Sequence, residues 1–195
     1  MNLPSEWQES PLSDQHVIIT DQSNGQSHEL PVIRGTEGEP TLEIKSLPAE
    51  LGYFTYDPGF GATACCTSHI TFIDRAKDIL RYRGYPIEQL AQNSMFVEVA
   101  YLLLYGELPN VAELATFNDD IIYHTMVHEQ LNTFISGFHY DAHPMAMMAG
   151  VVGSLAAFYH AKMDMDSSEH RMLSAQRTIT KMPTIAAACF RPHMG

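Results

Sequence analysis

Apolar and polar positions change period near Gly84. Before it, short β-branched runs, "HVIIT" and "LPVI", flank a polar segment holding Asn24-Gly25, a dipeptide whose two residues both tolerate positive φ and so favour a hairpin turn. Further on, Ile70, Phe72 and Asp74 alternate with His69, Thr71 and Ile73, the two-residue period of a strand, and a second short hairpin is expected near 67–83.

After Gly84 the period becomes helical. Pro86 suits the first turn of "PIEQLA", Ser94 suits the N-cap of "MFVEVAYLLLY", and Gly106 suits its end, because glycine tolerates the left-handed conformation there. That helix is apolar nearly all round, which predicts burial. Asn110 with Glu113, and Asp166 with Glu169, have capping-box spacing for "VAELATFNDDIIY" and "SSEHRMLSAQRTITKM", the second interrupted or kinked at Pro183. The apolar run from Met145 to Tyr159 is too short for a bilayer span of roughly 20 residues and reads as a buried helix. Its Ala146, Ala149, Gly150, Gly153 and Ala156 would let another helix approach closely. The expected fold class is mainly α: about six helices, residues 51–195, preceded by a small β-rich module, residues 1–50.

Charge narrows the function. The formal net charge is −12, residues 1–50 hold nine acidic against two basic side chains, and no lysine or arginine occurs between Arg83 and Lys162. No basic stripe exists to neutralise a phosphate backbone, so nucleic acid is not an expected partner. The N-terminus lacks the basic and apolar regions of a signal peptide, and three cysteines form neither a disulfide framework nor a CxxC knuckle, so a cytoplasmic location is expected. The cations after Lys162 are Arg171, Arg177, Lys181 and Arg191, where an anionic small molecule would find partners.

Several groups invite a chemical reading. His124 and His128, four apart in "YHTMVHEQ", would share one helical face, but the glutamate follows the second histidine and two ligands do not close a zinc site. His139, Asp141 and His143 could join them; a loop in which Asp141 or His143 caps the next helix, with Pro144 at its first position, explains the same order without metal. Cys65 and Cys66 have only His69 nearby to activate a thiolate, so buried structural cysteine is preferred to a nucleophile. "GFGATA" lacks the lysine of a P-loop.

Seven segments in order, "LPVIRGTEG", "FTYDPGFGATACCTSHITFID", "ILRYRGYPIEQLA", "EVAYLLLYGELP", "HTMVHEQ", "HPMAMMAGVVGSLAAFYH" and "KMPTIAAACF", resemble the N-terminal half of citrate synthase, of the bacterial type with an extra N-terminal β module. The resemblance implies the multi-helical large domain of that family. It implies an acyltransferase that condenses acetyl-CoA with oxaloacetate to citrate and CoA at the entry to the tricarboxylic acid cycle, with no required cofactor. The family's catalytic histidines and aspartate match no residue here, so the chain is expected to be a fragment, inactive alone. A homodimer, and a hexamer built as a trimer of dimers, are implied for the parent enzyme, as is an allosteric NADH pocket at His124, Met126, Tyr159, Arg177 and Lys181. Where NADH-sensitive relatives carry arginine before "HTM", this chain has Tyr123; losing one charge-assisted contact costs about 1.5 to 3 kcal/mol, one to two decades in affinity. Arg177 and Lys181 read equally as a solvated helix face. A 2-methylcitrate synthase, or a non-enzymatic metal-binding or oligomerisation module, are the competing readings.

Overall fold

The computed structural model describes residues 12–160, 164 and 166–191. The chain is mainly α, with seven α-helices among the described residues and a small β-rich module in front of most of them. It divides into two compact units that meet in sequence at Met95 and Phe96.

In the first unit, β1 (Leu12–Thr20), β2 (Ser27–Ile33) and β3 (Thr41–Leu42) form an antiparallel sheet in that order. Val17 faces Leu30 and Thr20 faces Ser27 across the first pair. Leu30 and Val32, two apart on one face, are buried, and Leu47 of the short helix α1 (Leu47–Leu51) is buried as well. The β1–β2 connection is a six-residue loop rather than a two-residue turn. Only Gly25 takes positive φ; the Asn24 carbonyl oxygen of the side chain instead accepts from the Gln26 N–H at 2.8 Å, and Asp21 accepts from Ser23. Self-bonding of Asp and Asn to the backbone two residues on has displaced the tight turn.

The tight turn occurs elsewhere. β4 (Thr71–Asp74), β5 (Ile79–Tyr82) and β6 (Tyr85–Pro86) form a second antiparallel sheet, and β5 joins β6 through Arg83 and Gly84, with φ of +50° and +88°. Two consecutive positive φ values match the twist of the flanking strands. Phe72 and Asp74 are half-buried while Thr71 and Ile73 are exposed, so the alternation read from the sequence is realised. Pro86 ends β6 and precedes α2 (Ile87–Asn93) instead of entering its first turn. Ser94, expected as the N-cap of the next helix, closes α2 instead, donating its N–H to the Leu90 carbonyl.

The second unit runs through α3 (Phe96–Tyr105), α4 (Val111–Tyr123), α5 (Glu129–Ser136), α6 (Pro144–Phe158) and α7 (Ser168–Phe190). Apolar α3 buries only Ala100 and Leu102 fully. Its aromatic face meets α4: Tyr101 stacks on Tyr105 at 4.3 Å, and both present edges to the buried Phe117. The main core is Leu131 and Ile135 of α5, Met147 and Val151 of α6, and Ile185 and Cys189 of α7. Helix α7 continues through Pro183, where the sequence predicts an interruption or kink, and its N-cap is Ser167, accepting from the His170 N–H, rather than Asp166. No helix among the described residues is long and apolar enough to cross a membrane.

Candidate functional site

His124 and His128 do not share a helical face, because the chain breaks between them. His124 is the C-cap of α4, with φ −94° and ψ 4°, and His128 is the N-cap of α5, its Nδ1 accepting from the Gln130 N–H at 3.2 Å. The His128 ring also stacks on Phe158, with centroids 5.1 Å apart. Two short helices thus stand where the spacing allows one, and the carbonyls at the break need donors from outside.

Helix α7 supplies them. Lys181 is 2% exposed, and its Nζ donates to the carbonyl oxygens of His124 and Met126, the latter at 2.7 Å. Thr180 Oγ1, 3.1 Å from the His124 oxygen, adds a second donor, one that sequence reasoning missed. One turn earlier, the Arg177 guanidinium lies 4.9 Å from the centre of the Tyr159 ring, with Lys181 Nζ at 5.2 Å from the same centre. Arg177 Nε is enclosed with no hydrogen-bond partner, and neither cation has an ion-pair partner among the described residues.

All five predicted residues therefore meet: His124 and Met126 through their carbonyls, Tyr159 through its ring, Arg177 and Lys181 through their charges. Burial, then the nearby Arg177 and Lys181, holds the His124 imidazole below its ordinary value. Burial, then Arg177, likewise lowers Lys181. This is a local excess of positive charge beside an aromatic face, an arrangement suited to an anion with a ring system. Tyr123, at the last residue of α4, is 81% exposed and lies edge-on to the His124 ring.

The other candidates separate. His143 caps α6 through Nδ1, accepting from the Met145 N–H at 3.2 Å with Pro144 at the first helical position, while the exposed His139 ring hydrogen-bonds the Asp141 carboxylate through Nδ1. No group of three or more His, Cys, Asp or Glu among the described residues is placed to hold a metal ion. Cys65 and Cys66 are both exposed, against the expectation of burial; only Cys189 is buried. An open groove of about 880 Å³ between α5 and the second half of α7, lined by Val127, Ile135, Pro183 and Arg191 among others, holds none of the five pocket residues and, of the four late cations, Arg191 alone.

The family described as "Citrate synthase, C-terminal domain" matches residues 59–195, most of the chain and all five helices of the second unit. The chain belongs to the citrate synthase family. Solved citrate synthases share its fold. One from the thermophilic archaeon Thermoplasma acidophilum, determined as a ternary complex with carboxymethyl coenzyme A and oxaloacetate, is 25% identical with a TM-score of 0.63, covering 68% of this chain and 35% of that one. The enzyme of Thermotoga maritima MSB8 is 25% identical with a TM-score of 0.60, covering 72% and 36%. That of Pyrobaculum aerophilum is 26% identical with a TM-score of 0.62, covering 84% and 39%. The chain spans between 35% and 39% of the length of these three citrate synthases.

Proposed function

We propose that this chain serves as the N-terminal half of a cytoplasmic citrate synthase of the bacterial hexameric type, which condenses acetyl-CoA with oxaloacetate to citrate and CoA. The family match over residues 59–195 carries the reading. The β-rich module ahead of the helices supports the bacterial type. Because no residue here corresponds to the family's catalytic histidines and aspartate, the 195 residues alone are expected to give no steady thiol release with both substrates. Joined to a segment bearing those residues, they are expected to turn over with acetyl-CoA. Turnover by the 195 residues alone overturns the half-enzyme assignment, and a joined enzyme that prefers propionyl-CoA overturns the citrate assignment.

The chain's contribution is assembly and regulation. Helix α6 leaves Ala146, Ala149, Gly150, Gly153, Ala156 and Ala157 exposed, and a second copy packed there would form the dimer from which a hexamer is built. The cluster of His124, Met126, Tyr159, Arg177 and Lys181 forms the allosteric pocket, and it binds NADH weakly. Two features support weak binding: Tyr123 stands where NADH-sensitive relatives carry arginine, and the Lys181 ammonium already serves two carbonyls. Calorimetry is expected to give an affinity one to two decades below that of the Tyr123→Arg variant, consistent with one charge-assisted contact. Equal affinities would remove Tyr123 from the pocket.

A further inference from the structure

Cys65 and Cys66 belong to neither the core nor the cluster on α7. They lie in 63–68, a stretch without regular structure, and both thiols are exposed and free. Adjacent side chains on an extended strand point to opposite sides. Here the two sulfurs are only 3.8 Å apart, so the backbone has turned both thiols to one side. The stretch is anchored at each end. Upstream, the Asp57 carboxylate accepts from the N–H groups of Gly61 and Ala62 and from the Thr63 hydroxyl; downstream, the Ser68 hydroxyl accepts from the Ile70 N–H.

Two thiolates on one tetrahedral centre, with bonds of about 2.3 Å, stand roughly 3.8 Å apart. The observed separation is that of a pair spaced for a tetrahedral centre, and a pyramidal trivalent arsenic, with bond angles of about 100°, needs the sulfurs only about 0.4 Å closer. No third protein ligand completes a cluster among the described residues, so the centre must carry its remaining ligands with it. We propose that Cys65 and Cys66 form a bidentate thiol site for a thiophilic metalloid or metal centre that needs two sulfur ligands, such as a trivalent organoarsenical.

Phenylarsine oxide is the probe. Two As–S bonds form, the As–O bond is lost, and the two thiol protons leave with the oxide oxygen as water; arsenic stays trivalent and no oxidant is needed. Reduced full chain is expected to give a one-to-one adduct by intact mass that withstands 2-mercaptoethanol and is reversed by an equal concentration of 1,2-ethanedithiol. Cys65→Ser and Cys66→Ser should each bind roughly a hundredfold or more weakly, since the second bond is intramolecular only when both thiols are present. Cys189→Ser should bind like the parent chain. Both thiols are exposed, so the serine variants should keep the parent's circular dichroism. No adduct with the parent chain, an adduct that a monothiol removes, or a single-serine variant that binds equally well would overturn the proposal.

Discussion

Burying a lysine ammonium is unfavourable unless acceptors replace the water it loses, and Lys181 has two carbonyl oxygens that do so. Lys181→Met keeps most of the aliphatic stem and removes both charged hydrogen bonds. It is expected to destabilise the protein by roughly 2–4 kcal/mol, read as a lower urea midpoint with faster amide exchange at 124–128. His124 offers a pH test. Its folded value lies below the ordinary 6.5, so as pH falls through that value the unfolded chain takes up the proton first. Stability should therefore decline as pH falls from 6.5 towards the lowered folded value, and be unaffected by this group well above 6.5. Arg177→Gln removes one repelling cation and should move the His124 NMR titration midpoint upward; a midpoint that stays put would show that Arg177 does not contribute to it.

At the level of elements, what could be read from sequence was what neighbours in sequence decide. The Asn110 and Glu113 pair forms a complete capping box, with the Asn110 oxygen accepting at 2.9 and 3.0 Å and Glu113 reaching back to the Asn110 N–H at 2.8 Å. Asn110→Ala is expected to cost about 1 kcal/mol in chemical denaturation without altering the fold. Gly106 at φ +99° and His143 with Pro144 were legible for the same reason. The break between α4 and α5 was not. Periodicity across "YHTMVHEQ" fits one continuous helix, and the donors that make two helices favourable come from Thr180 and Lys181, more than fifty residues away. The five cluster residues follow from family resemblance, because they come from α4, α6, α7 and the segments beside them, which no local spacing rule joins. Likewise the choice of Ser167 over Asp166 as cap lies within a one-residue uncertainty that spacing cannot resolve.

For the whole molecule, exposed apolar side chains matter most. In the first unit Phe54 and Tyr56 are 86% and 91% exposed, and in the second the small-residue face of α6 lies open. Such surface favours association. Sedimentation velocity should show a coefficient rising with concentration. Gly150 and Gly153 differ as probes of the α6 face. A side chain at Gly150 would meet Phe138 of the same chain at 3.3 Å, so Gly150→Leu disturbs folding as well as assembly. Gly153 has nothing within 4 Å, so Gly153→Leu should abolish self-association through α6 while helix content is kept; unchanged sedimentation would exclude that face from the interface. The net charge of −12 works against indiscriminate aggregation, leaving specific apolar contact as the driving interaction.

The Lys181 contact holds the corner between α4 and α5 with one ammonium on two oxygens, and Thr180 adds a second donor to only one of them. An anion that draws the ammonium toward itself must leave the His124 and Met126 oxygens to water or to Thr180 alone. Ligand and corner therefore compete for one charge, and whatever draws Lys181 away leaves two main-chain oxygens beside the start of α5 short of a donor.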